Sequence, residues 1–315
     1  MYLDDTLDRP LASNSARFGR GLKKLLALVA TIALLASLLV QPKPEAKPYK
    51  VTIVHTNDWH ANHQPQRKSG DGGSARQTAI IKRIKAEVKN VLLLDAGDRF
   101  TGTILHQKGG LDNVPLMNPL GFHAMTLGNH EFDDGDDQLA LFAKRINFPL
   151  VSANVDVSKS PDLRELVKPY VVVDVDGQKF GVIGLTTANT KTNSRPSKNI
   201  GFDRDYAACV QAAVAELDRR GINKIVVLSH IGLDEDKKLA AQVSKVDVIV
   251  GGHSHTVLSN TAKDAKGVYP ITVMDKDGKP VYIVQAGGGD GRARRFAGPQ
   301  HFRLQQRQRG GLGSL

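Results

Sequence analysis

The sequence predicts an α/β fold built on mixed sheets. Short β-branched runs alternate with helical patterns from Val51 onward, two pairs of runs flank Asp-Gly turns, and 41% apolar residues in 315 suffice for a proper core. Val51–His55 reads as a strand, and Ser74–Lys89 as a helix that gathers Ile80, Ile81, Ile84 and Val88 on one face. Val91–Asp95 is a buried strand. A helix near Gln138–Arg145, a short strand at Leu150–Ala153, a helix at Tyr206–Arg219 and strands at Lys224–Ser229 and Val246–Val250 continue the alternation. Val171–Asp176 with Lys179–Leu185, and Ile271–Asp275 with Pro280–Gln285, read as hairpins, and hairpins inside such a series call for mixed sheets. There is no internal repeat.

The formal charge of +11 belongs to the two ends. Residues 1–50 hold +4 of it and residues 287–315 hold +5, which leaves +2 for residues 51–286, so no nucleic acid polymer is expected as a partner. Leu25 to Val40 is apolar apart from Thr31 and Ser37, and Arg17, Arg20, Lys23 and Lys24 precede it. That pattern is an export signal, either cleaved or kept as a membrane anchor through residues 25–40, and it places the remainder outside the cytoplasm, in a periplasmic or extracellular setting. Gln41–Lys50, with three prolines, is an extended tether, and residues 287–315, rich in Gly, Arg and Gln, lack any apolar period and are expected to be disordered. The domain plan is therefore 1–50, 51–286 and 287–315. Cys209 is the single cysteine, which rules out an internal disulfide; a thiol within a helical pattern is assigned no function.

Five segments carry the chemistry, each at the carboxyl end of an expected strand: Asp58-Trp59-His60, Gly97-Asp98, Gly128-Asn129-His130-Glu131-Phe132-Asp133, Ser229-His230 and Gly252-His253-Ser254-His255. Ligands of α/β sheets collect there. Taken singly, each is an ordinary turn, helix cap or loop histidine. Together they offer His, Asp and Asn on the same edge of one sheet, the mixed nitrogen and oxygen set of a divalent transition ion. Two dications roughly 3.5–4 Å apart repel strongly, so a bridging carboxylate is needed, and Asp98 suits that place. Such a pair polarises a water to hydroxide for in-line attack on phosphorus.

The order D-x-H, G-D, G-N-H-E, S-H and G-H-x-H resembles the calcineurin-like two-metal phosphoesterase superfamily. The strings T-N-D-W-H, D-A-G-D, L-G-N-H-E-F-D and G-G-H-S-H-T resemble its 5′-nucleotidase family over about Val51–Ala286. The resemblance implies a four-layer α/β/β/α metallophosphoesterase sandwich with two mixed sheets. It implies that Asp58, His60 and His255 hold one ion, that Asn129, His230 and His253 hold the other, and that Asp98 bridges. Zinc, manganese, iron or cobalt would serve. His130 would then stabilise the phosphoryl group or protonate the leaving oxygen, and Asp133 would orient it; the alternative for Asp133 is a helix cap ahead of Gln138.

Phosphomonoesters of nucleotides are the substrates the resemblance implies. A 2′,3′-cyclic nucleotide, a UDP-sugar or the substrate of the related sulfur-oxidation hydrolase would use the same centre. The family's second domain, which supplies base stacking, has no counterpart after Ala286, so weak nucleotide preference is expected. An inactive, metal-binding fragment is the competing reading of another class. Oligomeric state is not legible.

Overall fold

The structure is a computed structural model that describes residues 25–31, 49–65, 72–288 and, for the backbone, 302–303. The chain divides into two units, Met1–Lys47 and Pro48–Leu315. Of the first, residues 25–31 form an exposed helix, α1. The rest of the expected export segment, most of the tether and most of the basic tail lie outside the described residues. Among the described residues no helix is long and apolar enough to cross a membrane.

The second unit runs β1 (Lys50–Thr56), α2 (Ser74–Glu87), β2 (Val91–Asp95), α3 (Val114–Met117), β3 (Ala124–Thr126), α4 (Asp136–Ala143), β4 (Leu150–Val151), β5 (Val155–Asp156), β6 (Val167–Lys168), β7 (Tyr170–Val175) and β8 (Gln178–Thr186). It continues with α5 (Thr190–Asn193), β9 (Gly201–Phe202), α6 (Tyr206–Arg219), β10 (Ile225–His230), α7 (Leu233–Gln242), β11 (Val248–Val250), β12 (Ile271–Met274), β13 (Pro280–Val284) and β14 (Phe302–Arg303). Two six-stranded sheets result, ordered β14-β1-β2-β3-β4-β6 and β12-β13-β11-β10-β8-β7. Each has a parallel centre and an antiparallel strand at one or both edges, so both sheets are mixed.

The two-residue period of the strands makes the layers. On β1 and β2, Val54 and Leu93 face outward to α2, α3 and α4 with Ile81, Met117 and Leu139, while Ile53, Leu92 and Leu94 face inward. On β10, Ile225 and Val227 face α6 and α7, while Val226 and Leu228 meet the first sheet's inward residues. Three apolar layers therefore separate helix, sheet, sheet and helix: the four-layer sandwich expected above. α6 shows why such helices form. Asp205 caps it by accepting the Ala208 N–H at 3.0 Å, and Val210, Ala213, Val214 and Leu217 bury one face.

Both hairpins form. In the first, Asp176 and Gly177 have φ of 49° and 78°, the doubly left-handed turn that matches strand twist. One helix was not read from the sequence. α7 went unread, because its first turn carries Asp234, Glu235 and Asp236 and resembles a polar loop; those acids instead suit a helix start. Of the tail beyond residue 288 only the backbone of Phe302–Arg303 is described, and it pairs antiparallel with Lys50–Val51, since an open strand edge accepts an extended segment.

Candidate metal centre

Five turns leave the carboxyl ends of β1, β2, β3, β10 and β11 and meet at one place. The first three belong to one sheet and the last two to the other, which corrects the single-sheet edge expected from sequence. The cluster sits on the seam of the sandwich because hydrogen bonds fasten the sheets there. Thr126 donates to Leu185 O at 3.1 Å, Thr186 Oγ1 to Leu127 O at 2.7 Å, and Ala153 N–H to Gly184 O at 2.8 Å.

Potential ligand atoms of Asp58, His60 and His255 lie within 4.8 Å of one another, as do those of Asp98, His230 and His253. His60 Nε2 stands 3.1 Å from His255 Nε2, and His255 Nε2 3.3 Å from Asp58 Oδ1. Across the cluster His230 Nε2 lies 3.0 Å from Asp98 Oδ2, and His60 Nε2 3.8 Å from that same oxygen. Asp98 thus belongs to the second triad and also faces His60 of the first. Strained backbone accompanies these side chains: Asp58, His60, Asp98, His253 and His255 all have left-handed φ, between 50° and 70°.

Several features fit cations. His230 Nδ1–H donates to Ala96 O at 2.6 Å, which fixes the tautomer and turns the Nε2 lone pair toward carboxylates. Burial disfavours charge on His230, but Asp98 and Asp58 outweigh it and lift the imidazole to about 10. The site therefore calls for positive charge at that nitrogen, which a metal ion can supply in place of a proton. Burial lowers His60 and His253, and their histidine neighbours add to the effect, so both are held ready as neutral donors. Burial works against ionisation of Asp98, yet His230, His60 and His130 hold it well below the usual carboxylate range. Asn129 Oδ1 is buried with no hydrogen-bond partner, an acceptor that folding leaves for something other than protein.

His130 and Asp133 lie beside this cluster. A ring nitrogen of His130 is within 4.8 Å of the ligand atoms of His60 and Asp98. Its Nδ1–H donates to Asp133 Oδ2 at 2.6 Å, which leaves Nε2 for a substrate. That hydrogen bond, opposed by burial and helped by Asp98, raises His130 to about 9. Asp133 does not cap α4, which starts at Asp136 behind Gly135 with no side-chain cap hydrogen bond.

Sequence reasoning missed the residues that hold the turns. Glu131 is fully buried and accepts four backbone N–H groups, from Asp98 (2.9 Å), Gly128 (2.6 Å), Arg99 (2.7 Å) and Phe100 (3.3 Å). It ties the Asp98 turn to the Asn129 turn. Asn57 donates to Asp58 Oδ2 at 2.6 Å and to Gly287 O, and accepts Ala286 N–H at 3.0 Å. Arg99, 1% exposed, donates to Asp95 and Thr56 and lies 5.6 Å over the Trp59 ring. A carboxylate inside a motif, with no ligand role left to fill, was the one available signal for Glu131. The arginine gave none.

Comparison with known proteins places the fold in a family. The profile of the calcineurin-like phosphoesterase family matches residues 51–257. A snake venom 5′-nucleotidase from Gloydius brevicauda is 40% identical over 278 residues, 83% of this chain and 46% of the relative. The crystal structure of a 5′-nucleotidase precursor from Thermus thermophilus superposes with a TM-score of 0.73 at 47% identity, over 76% of this chain and 49% of that one. An NAD nucleotidase from Haemophilus influenzae follows at 0.72 and 35%, over 77% and 46%. The chain spans about half the length of the curated relatives it matches. With its five turns, its sandwich and a profile match across most of the folded unit, the chain belongs to the calcineurin-like phosphoesterase family.

Proposed function

We propose that residues 51–286 form a two-cation phosphoesterase that hydrolyses phosphomonoesters of nucleotides outside the cytoplasm. The observation that carries this reading is the seam itself: Asp98 groups with His230 and His253 on one side and with His60 on the other, its Oδ2 3.0 Å from His230 Nε2 and 3.8 Å from His60 Nε2, the place a bridging carboxylate would take. Asp58, His60 and His255 would hold one ion; Asn129, His230 and His253 would hold the other. Zinc, manganese, iron or cobalt suits this donor set. Such ions, when bound, supply a polarised water and a clamp on the phosphoryl oxygens. The 5′-nucleotidases at about 40% identity support the nucleotide substrate. The basic residues ahead of the apolar run at residues 25–40 support export.

The protein's own groups do the remainder. Glu131 and Asn57 fix the turns, so the ligands need little rearrangement. Water's oxygen bonds to phosphorus and releases one proton to solvent as the ester P–O bond breaks, and that bond's electron pair passes to the leaving oxygen. His130 protonates that oxygen through Nε2, held in place by Asp133.

The test is phosphate release from a nucleoside 5′-monophosphate and an aryl phosphate, with elemental analysis of the same preparation. Turnover should need manganese, cobalt or zinc, about two ions should be found per chain, and Asp98→Ala should abolish both. Equal rates with metal and with chelator would end the reading.

A further inference from the structure

The turn that follows Asp98 holds a residue the backbone does not favour. Thr101 has φ of 46°, in the left-handed region where a β-branched side chain crowds its own backbone. Glycine follows at 102, so the sequence could have put glycine there as well. Such a conformation persists only where the surroundings over-determine it.

The surroundings here are specific. The Thr101 N–H donates to His106 Nδ1 at 3.2 Å. That fixes the tautomer, and His106 Nε2–H donates to Asp134 Oδ2 at 2.8 Å. The same oxygen accepts Gly109 N–H at 2.7 Å, and Thr103 Oγ1 donates to Ala61 O at 2.7 Å. The loop from Thr101 to Gly109 is thereby closed on itself and against the first metal-binding turn. His106 and Asp134 take no part in the cluster of candidate ligands, so the ligand role does not account for them.

The brace presents one group. Thr101 Oγ1 lies 2.8 Å from Asp133 Oδ2 and 2.9 Å from His130 Nδ1, while His130 Nδ1 is 2.6 Å from Asp133 Oδ2. The three atoms form a close triangle in which the hydroxyl and the Nδ1–H both donate to Asp133 Oδ2. The hydroxyl proton goes to the carboxylate, and a hydroxyl lone pair faces the Nδ1–H. Asp133 is then gripped from two directions and cannot turn away, and the imidazole has one orientation with Nδ1 inward.

We propose that Thr101 is a positioning residue, whose hydroxyl, set by a left-handed turn braced through His106 and Asp134, locks the His130–Asp133 pair with Nε2 toward the leaving oxygen. This rests on the reading of His130 as the acid for the leaving group. A poor leaving group therefore depends on Thr101, and a good one does not.

Thr101→Val, Thr101→Ser and Thr101→Gly, each purified with metal content measured, separate the alternatives. On a nucleoside 5′-monophosphate, whose alkoxide needs a proton, Thr101→Val should lose about 10–100-fold in kcat with KM within about twofold, the size seen when a group that orients a working side chain is removed. On 4-nitrophenyl phosphate, whose phenolate leaves unaided, the loss should stay under about threefold. Thr101→Ser should recover most of the difference. Thr101→Gly relieves the backbone but lacks the hydroxyl, so it should melt no lower than the wild type and still lose kcat on the nucleotide.

Equal losses on both substrates, lost metal, or a fully active glycine variant would overturn the proposal. A wild-type protein without metal-dependent phosphatase activity would instead sink the reading beneath it.

Discussion

A carboxylate that meets four backbone amides is hard to replace. Glu131→Gln keeps the volume of the side chain but turns an NH2 toward amide donors, which leaves at least one buried N–H unpaired at a cost of about 1–3 kcal/mol. Because two of those amides belong to Asp98 and Gly128, the ligand turns loosen as well. The expected outcome is a lower melting temperature and metal affinity weakened about 10–100-fold, read by competition with a chelating dye; unchanged affinity would remove Glu131 from the site. His55 carries a second residue-scale prediction. It is 6% exposed, its Nε2 lies 3.0 Å from the Tyr269 hydroxyl, and burial lowers it from 6.5 to about 4. Below pH 6.5 the unfolded chain takes up a proton that the folded chain refuses until about pH 4. His55 therefore adds stability in full above pH 6.5 and loses it as pH falls through that window. Between pH 7 and pH 5 the loss is roughly 2 kcal/mol, and His55→Leu should flatten it in urea melts at the two pH values. Parallel curves for the two proteins would refute the assignment.

At the scale of elements, the decisive contact is between β4 and β8, where two sheets approach backbone to backbone. A Cβ at Gly184 would collide with the carbonyl of Val151 on the facing sheet. Gly184→Ala should therefore pry the seam open, cost about 1–3 kcal/mol and separate the Asp98 turn from the His230 turn. Urea melts should fall, and metal stoichiometry should fall with them; an unperturbed melt would show that the seam tolerates a methyl group. That seam also marks where sequence reading stops. A strand written as an unbroken apolar run, such as Val91–Asp95, and a capped amphipathic helix, Tyr206–Arg219, were legible because local pattern decides them. Two-residue strands such as β5, β6 and β9 have no period to read. The motif segments were legible as chemistry, since His and Asp at strand ends are conspicuous. Their distribution over two sheets was not, because strand order depends on pairings far apart in sequence.

The whole molecule gathers charge where a protein on its own would avoid it. Asp58 and Asp98 are buried to 0% and 2% exposure, His230 to 0%, and the residues that bear them come from both sheets. Unfilled, this seam keeps carboxylates and imidazoles desolvated against one another, and the acceptor on Asn129 goes without a partner. With cations bound, the same groups would draw the two sheets together from both sides. Folding and metal binding should thus be linked: ions that bind the folded chain and not the unfolded one stabilise it by about 2.7 kcal/mol at a free concentration one hundred times Kd. The melting temperature of the full chain should rise with added manganese or zinc and fall when a chelator is present. Asp98→Ala, with the bridge removed, should respond far less. If chelator and saturating metal give the same melting temperature, no cation spans the seam, and the two sheets hold together through their apolar layer and backbone contacts alone.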